Sequence, residues 1–446
     1  MQPLNDTIAA IATAHGKGGI GIVRLSGPLS KTICKSIIRK SIEPRITHYT
    51  SFHDQDSNPI DKGIAIFFQG PNSFTGEDVV ELQGHGGIVV TKLILNECLK
   101  LGARIAEPGE FALRAFLNDK IDLIQAESVA DLIEASTEQS VRAALRSLQG
   151  GFSEKIQDLL DKLIELRTYV EATLDFPEEE LSKFDIDECN KRSEILISNV
   201  ATLISGAKQG ALLSEGIHIA LVGQPNAGKS SLLNKLIDDD IAIVSDVAGT
   251  TRDAIKQSIA INGVPVHLVD TAGLRDTEDK LEALGIERTK HVISKTDLLL
   301  VVIDGSERVE LQYESIDKFL PEAIKKIIVV NKIDLKQEVA RIERIAADIY
   351  VYISALTGDG IDILREEILN SIGWHSEAST FMARDRHLVL LHEVLEYLIK
   401  VKNEKMGLEL QAENLRLAQI SLSKITGEYT SDDLLGEIFG GFCIGK

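Results

Sequence analysis

The chain has 446 residues, 44% of them hydrophobic and 26% charged, so it is long enough for several packed domains. Its 48 basic and 68 acidic residues give a net charge of −20, which excludes a polybasic protein that coats nucleic acid through bulk charge. The 4 cysteines form no Cys-x-x-Cys pair, which argues against a zinc cluster or disulfide scaffold. The N-terminus has no signal-peptide pattern and the most apolar run, Leu298–Ile303, is too short to cross a bilayer, so we expect a cytoplasmic protein without membrane association.

The first part of the chain mixes short apolar runs with Gly-Pro turns. The runs Ile20–Leu25 and Gly63–Phe68 are typical of strands, and helical spacing follows over Ile88–Leu101. We therefore predict an α+β N-terminal domain over residues 1–118.

Helical periodicity dominates the regions on both sides of a central block. It covers residues 123–174, 187–209 and 384–423, with a break at Gly150-Gly151. The simplest interpretation is a discontinuous helical domain, residues 119–210 and 376–446, with another domain inserted in its sequence. Two separate helical bundles are the alternative.

The central block, residues 211–375, alternates apolar runs with helical segments. The runs are residues 217–222, 264–270, 297–304, 327–331 and 349–354. Near-continuous apolar runs are typical of strands buried on both faces, as in a mostly parallel sheet with flanking helices. This block is predicted to be an α/β domain.

A phosphate loop follows the first of these runs. Residues 223–230 read Gly-Gln-Pro-Asn-Ala-Gly-Lys-Ser, the G-x-x-x-x-G-K-S pattern. In this motif backbone N–H groups bind the phosphates, the lysine neutralises the β/γ oxygens, and the hydroxyl reaches Mg²⁺. The predicted contacts are Asn226, Ala227, Gly228, Lys229, Ser230 and Ser231, with Ser230 as the Mg²⁺ ligand.

Three further motifs follow later runs and identify the nucleotide. Asp270-Thr271-Ala272-Gly273 offers a carboxylate to the Mg²⁺ shell and a backbone N–H to the γ-phosphate. In Asn331-Lys332-Ile333-Asp334 the aspartate carboxylate can accept hydrogen bonds from guanine N1–H and from the 2-amino group. Adenine lacks both donors. Ser354-Ala355-Leu356 can present a backbone N–H to guanine O6. The order of these motifs predicts a Ras-like P-loop GTPase domain that takes GTP rather than ATP.

Leu274 occupies the position where Ras-type GTPases carry the glutamine that orients the attacking water. An apolar side chain cannot orient water, so another polar residue must do so. Spacing alone permits Arg275, Asp276, Glu278, Asp279, Glu282 or Glu287.

With these motifs, the whole chain resembles the MnmE (TrmE) family of bacterial tRNA-modification GTPases. Outside the GTPase motifs the resemblance is carried by residues 71–78 (PNSFTGED), 81–87 (ELQGHGG), 108–111 (PGEF), 116–120 (FLNDK) and 442–446 (FCIGK). It implies an N-terminal domain that binds folate and dimerises, a helical domain, and a G domain inserted into the helical domain.

The resemblance also implies a K⁺-dependent GTP site. Thr251 would ligate Mg²⁺, and Glu282 would be the catalytic residue that orients water. The K⁺ would take roughly the place of an arginine finger. Its ligands would be Asn226 and members of a following loop, Ser245, Val247 and Thr250. That loop, Ser245-Asp246-Val247-Ala248-Gly249-Thr250, would also line the nucleotide. G domains would meet across a homodimer when GTP and K⁺ bind, and hydrolysis would follow.

Folate contacts implied by the resemblance are Arg24, Glu81, Lys120 and Lys446, each of which is a simple surface charge on sequence grounds alone. A 5-formyl- or methylene-tetrahydrofolate would supply the one-carbon unit for a carboxymethylaminomethyl or aminomethyl group. The acceptor would be C5 of the wobble uridine, U34, of certain tRNAs. The FAD-dependent protein MnmG (GidA) would be the partner in a heterotetramer.

Other interpretations stay open on the sequence. A ribosome-assembly GTPase of the Era or Der type shares the leucine at the glutamine position, although such proteins usually carry basic RNA-binding domains. A folate-sensing switch without catalysis of its own is a third hypothesis. Cys443 is either a nucleophile or a small buried residue. His85, between glycines, is interpreted as a turn or pocket residue rather than a metal ligand.

Overall fold

The computed structural model describes residues 5–14, 16–175, 183–238, 256–270, 296–321, 323–346, 348–375, 380–402, 407–428, 432–442 and 445. Contacts divide the chain into two compact units. The first unit contains residues 1–133, 147–200 and 390–446, and the second contains residues 134–146 and 201–389. Within the described ranges, no helix is both long enough and apolar enough to cross a membrane.

A six-stranded sheet lies in the described part of the first unit. Its strands are β1 (Ile8–Ile11), β2 (Gly18–Ser26), β3 (His48–His53), β4 (Pro59–Phe68), β5 (Val79–Gly86) and β6 (Arg104–Ile105). The order is β3-β4-β5-β2-β1-β6, and all neighbours are antiparallel except β1 and β6. The predicted strands within β2 and β4 are confirmed.

Three helices complete this α+β region: α1 (Ser30–Ile38), α2 (Ile88–Lys100) and α3 (Glu110–Leu117). Helices α1 and α2 contribute Ile33, Ile37 and Ile94 to a fully buried core that includes Leu25 of β2 and Leu82 of β5. Each such side chain contributes about 1.5–3 kcal/mol when it leaves water. The side chains of one sheet face thus form the core, and the alternate residues of β2 and β5 are left to form a site.

The following helices are α4 (Leu123–Glu134), α5 (Glu138–Leu148), α6 (Gly151–Asp175) and α7 (Lys183–Ser214). The predicted break at Gly150 is confirmed, since this residue has a left-handed φ of 95° between α5 and α6.

The second unit has a seven-stranded sheet among its described residues. The strands are β7 (Ile217–Gly223), β8 (Lys256–Ile261), β9 (Val264–Asp270), β10 (Leu298–Asp304), β11 (Lys325–Asn331), β12 (Arg341–Ile345) and β13 (Asp348–Tyr352). The order is β12-β13-β11-β10-β7-β9-β8, parallel except for the two edge strands, β8 and β12. The described residues of this region also form the helices α8 (Lys229–Asp238), α9 (Val309–Asp317) and α10 (Ile361–Ile372). The mostly parallel sheet is as predicted.

The C-terminal helices are α11 (Asp385–Val401), α12 (Leu408–Thr426) and α13 (Asp432–Gly440). The predicted helical stretch 384–423 is therefore two helices, and Gly407 begins the second with extended backbone. Helix α12 packs along α6, where Arg167 Nη1 donates to Gln419 Oε1 at 2.9 Å. Helical segments from both sides of the central block thus pack together in the first unit.

Candidate nucleotide-binding site

The phosphate loop leaves the end of β7 and enters α8. Asn226 and Gly228 have left-handed φ angles of 66° and 96°. A Cβ at Gly228 would lie 2.2 Å from Asn331 Nδ2, and one at Gly223 would lie 2.2 Å from the Val302 carbonyl oxygen. Both positions therefore require glycine. Backbone of this kind forms a concave nest of N–H groups that suits an anion.

The lysine of this loop is held inside it. Lys229 is only 8% exposed, and its Nζ donates to the carbonyl oxygens of Gly223 at 3.0 Å and Gln224 at 2.9 Å. The ammonium thus lies next to the loop backbone, where the phosphate oxygens are also expected to bind. Ser230 and Ser231 follow in the exposed first turn of α8, as an Mg²⁺-binding hydroxyl requires.

The sheet order explains the position of this loop. Strand β7 lies between β10 and β9, so the chain continues to opposite sides of it. The carboxyl ends of parallel strands at such a reversal form the usual ligand crevice. Asp270 ends β9 in register with Leu221 of β7, which brings the backbone of Asp270 to the same edge.

Asn331 connects the phosphate loop to the loop expected to bind guanine. This residue is 2% exposed, and its Nδ2 donates to the Ala227 carbonyl oxygen at 3.0 Å. Its Oδ1 accepts from the Ala355 N–H at 2.9 Å. The side chain therefore uses both ends of its amide to hold two loops that are more than a hundred residues apart in sequence.

Asp334 is held next to this connection. The buried Ser354 hydroxyl donates to Asp334 Oδ1 at 2.6 Å and accepts from the Thr357 N–H at 3.2 Å. Leu356 is 83% exposed. Ser354 thus orients the Asp334 carboxylate. Its hydroxyl can therefore contribute to guanine binding without contacting the base itself.

Sequence reasoning missed Asp304, which fixes the lysine of the Asn-Lys-Ile-Asp motif. Lys332 has a left-handed φ of 68°, and its Nζ donates to Asp304 Oδ2 at 2.6 Å. Burial acts to raise the pKa of Asp304, but hydrogen bonds from Lys332 and Ser306 bring that pKa below its usual value. The only signal in the sequence is that Asp304 ends its apolar run as Asn331 ends the next.

Several predicted residues lie outside the described residues. They are the loop residues Ser245, Asp246, Val247, Ala248, Gly249 and Thr250, then Thr251, Thr271, Ala272, Gly273, Glu282, Cys443 and Lys446. The other candidates for orienting water, between Arg275 and Glu287, lie outside them too.

The predicted folate contacts Arg24 and Glu81 are directly opposite each other on β2 and β5. Arg24 donates to Glu81 Oε1 from Nε at 3.0 Å and from Nη2 at 2.9 Å, and Gln83 donates to Glu81 Oε2 at 3.1 Å. Arg24 Nη1 is 3.4 Å from the carbonyl oxygen of Gly445, the residue before Lys446. Lys120 is exposed and packs its methylene groups near Gly76. The structure therefore pairs two of the residues that the resemblance implies as folate contacts.

A buried charge network lies beneath the N-terminal motifs. Arg114 is 1% exposed and pairs with Asp6 at 2.7 Å, Glu110 at 2.9 Å and Glu77 at 3.1 Å. Arg104 pairs with Glu110 at 2.6 Å. In the described ranges, no group of three or more His, Cys, Asp or Glu side chains is arranged to hold a metal.

Together, the loop, the sheet edge and the base-binding motif define the second unit as a P-loop GTPase domain.

Family models confirm a wider relationship: one described as "MnmE helical domain" matches residues 123–443, and one described as "GTP-binding protein TrmE N-terminus" matches residues 7–120. A protein of Chromobacterium violaceum is 50% identical over 445 residues, covering 99% of this chain and 98% of its own length. One of Nitrosomonas europaea is 51% identical over 448 residues, covering 99% of each chain. Both are named tRNA modification GTPase MnmE. The chain belongs to the MnmE family of tRNA modification GTPases.

Proposed function

We propose that this chain hydrolyses GTP as part of tRNA modification. The assignment of GTP as the nucleotide rests on the arrangement of Asp334, Ser354 and Asn331 at the edge of the sheet where the phosphate loop also lies. A carboxylate held by Ser354 can accept two N–H groups from guanine, whereas adenine offers no such pair. The family relationship, which covers the whole chain, supports tRNA as the substrate of modification.

The residues of the loop have separate tasks in GTP binding. The nest around Asn226 and Gly228 takes the phosphates, and Lys229 exchanges its carbonyl partners for β/γ oxygens. Ser230 and Thr251 would hold Mg²⁺, with Asp270 in its outer shell. The metal offsets the charge of the phosphate oxygens during transfer.

Potassium dependence is a further part of the proposal. The exposed Asn226 would contribute to a K⁺ site completed by Ser245, Val247 and Thr250, and Glu282 would orient the attacking water. Two G domains of a homodimer would close on each other when GTP and K⁺ are bound. In support, Asn226 adopts its left-handed conformation at the mouth of the phosphate nest, where a cation can contact the same anion.

The modification itself would take place in the first unit. Arg24 and Glu81 would bind a 5-formyl- or methylene-tetrahydrofolate with Lys120 and Lys446. The pair is partly exposed, at 23% and 15%, so a ligand can reach both charges. Acting with MnmG in a heterotetramer in the cytoplasm, the protein would add an aminomethyl or carboxymethylaminomethyl group to C5 of U34.

A ribosome-assembly role of the Era or Der type would explain the motifs of the second unit only. The family match over residues 7–120 also covers the sheet that carries Arg24 and Glu81. The tRNA hypothesis therefore accounts for more of the chain.

The test is mass spectrometry of tRNA nucleosides from cells that lack this gene. We expect 5-aminomethyl- and 5-carboxymethylaminomethyl-type uridines to disappear, to return with the wild-type gene, and to stay absent with Lys229→Ala. His375→Gln, an exposed substitution, is the control and should restore the nucleosides. Unchanged nucleosides in the deletion strain would refute the proposed role in tRNA modification.

A further inference from the structure

His85 and Asp61 form an oriented pair at the carboxyl end of β5. Asp61 Oδ2 accepts the His85 backbone N–H at 2.7 Å, and Asp61 Oδ1 lies 2.7 Å from His85 Nδ1. The imidazole is 74% exposed, whereas the carboxylate is only 10% exposed. A largely buried carboxylate thus holds one nitrogen of a solvent-facing ring.

The backbone around this pair is built from glycine. A Cβ at Gly84 would lie 2.4 Å from Asp61 Oδ2, so the carboxylate can reach His85 only across a glycine. A Cβ at Gly86 would lie 2.5 Å from the Gly18 carbonyl oxygen. The sequence Gly-His-Gly therefore permits a geometry that other residues at the flanking positions would block.

Asp61 fixes the state of the ring. Burial acts to raise the pKa of Asp61, but hydrogen bonds from the His85 N–H, the His85 ring and the Lys62 N–H bring it below its usual value. An ionised carboxylate only accepts hydrogen bonds, so Nδ1 carries a hydrogen and Nε2 is left to exchange a proton with a ligand. An exposed ring contributes little to packing, and a structural purpose would need only the backbone N–H bond.

The surroundings are apolar. Ile20, Ile88 and Val89 are exposed by 65%, 50% and 69%. The Ile20 carbonyl oxygen would lie 2.7 Å from a Cβ at Gly86, and Ile88 and Val89 begin α2 shortly after Gly86 in the chain. The nearby β2 residues from Gly18 to Gly21 carry no charge, and β4 contributes Lys62 beside Asp61. A ligand that covers these side chains would shield the ring from water.

We propose that His85 is an acid–base residue of the one-carbon transfer, with Asp61 as its positioning residue. The inference rests on the proposed function. When the one-carbon unit passes from a folate nitrogen to the nucleophile that accepts it, the nucleophile's electron pair forms the new bond to carbon, the C–N bond breaks, and its electron pair stays on the folate nitrogen, which gains a proton. The imidazolium form of His85 donates its Nε2 proton and becomes the neutral ring with hydrogen on Nδ1, Asp61 stays ionised throughout, and Nε2 takes a proton from water for the next turnover. Glu81 precedes His85 by four residues on β5, about 13 Å along a strand, so one extended ligand can contact both.

The first experiment measures single-turnover formation of modified uridine by the full chain with MnmG, GTP, tRNA and methylene-tetrahydrofolate, as a function of pH. His85→Gln should lower the rate about 100-fold, a typical general acid–base contribution, without changing the melting temperature. Asp61→Asn should lower the rate less and displace the pH profile. The matched control His375→Gln should behave as wild type. Rates for His85→Gln within threefold of wild type would overturn the inference.

A second measurement does not depend on the modification reaction. Long-range ¹H–¹⁵N correlation spectra of the full chain should show His85 with hydrogen on Nδ1 when neutral, and a mixture of tautomers in Asp61→Asn. Hydrogen on Nε2 in the neutral wild-type ring would overturn the assignment. If wild-type protein makes no modified uridine, the proposed function fails, and the spectra still decide whether Asp61 orients the ring.

Discussion

Asn331 offers the sharpest test of the nucleotide site, because one side chain connects two loops. Replacing it with alanine leaves the Ala227 carbonyl and the Ala355 N–H without their partner, and these two residues are 2% and 7% exposed. A buried polar group that loses its partner costs about 1–3 kcal/mol. In the variant the two loops can separate, and GTP binding then has to bring them together against this cost. Because water can reach separated loops, we take the lower end for the pair, about 2 kcal/mol, which corresponds to about 30-fold weaker GTP binding.

Isothermal titration of GTP into the full chain measures this effect. Asn331→Ala should bind about 30-fold more weakly and retain the fold, since the lost bonds join loops rather than core strands. Asn370→Ala, an exposed substitution in α10, is the matched control and should bind as wild type. Affinity of Asn331→Ala within threefold of the control would show that the nucleotide does not depend on the connection between these loops.

Four other outcomes are expected. Asp334→Asn should shift preference from guanine toward xanthine nucleotides in competition binding, and unchanged GTP selectivity would contradict its role in reading the base. GTP turnover should be far faster in KCl than in NaCl, whereas equal rates would rule out the K⁺ site. Glu282→Ala should reduce GTP turnover with nearly unchanged GTP affinity. Unchanged turnover would mean that a neighbouring residue orients the attacking water. Burial acts to raise the pKa of Glu110, but hydrogen bonds from Arg104, the Glu107 N–H and Arg114 bring it below its usual value. Its stabilising effect is therefore present above the usual pKa and lost as pH falls through the lowered one. The melting temperature of wild type should exceed that of Glu110→Gln at pH 7, and the difference should shrink below about pH 4.5; a constant difference would contradict this assignment.

The inner strands of the second unit could be predicted because burial on both faces leaves a continuous apolar run. Strand β10 is such a case, since six of its seven residues are buried. The edge strand β12 could not be predicted in this way. Its sequence, Arg-Ile-Glu-Arg-Ile, mixes charged and apolar residues, and every residue is at least partly exposed. It pairs with β13, which begins three residues after β12 ends, and periodicity does not reveal this pairing.

The same distinction separates the predicted from the unpredicted site residues. Asn331 and Asp334 belong to a tetrapeptide whose spacing is fixed by a single strand end and turn. The contact between Lys332 and Asp304 instead depends on β10 and β11 being neighbours in exact register, with Asp304 opposite Asn331. Likewise, Arg24 meets Glu81 only because β2 and β5 pair across 57 residues of sequence. Contacts of this kind require the sheet order, which composition and local patterns do not contain.

The buried Arg114 changes what the N-terminal motifs mean. A guanidinium that is 1% exposed would cost several kcal/mol if unpaired. Asp6, Glu77 and Glu110 compensate it, and Glu77 also accepts the Ser26 hydroxyl at 2.6 Å. Two of the segments that resemble the family, 71–78 and 108–111, thus meet through Glu77 and Glu110 at an internal charge cluster. This cluster ties β2 and α3, which carry Arg24 and Phe111, to one another, and the Arg24 guanidinium lies 5.9 Å from the Phe111 ring. Part of the sequence signature therefore holds the proposed folate contacts in place, and the partly exposed Arg24–Glu81 pair is the part that a ligand can reach.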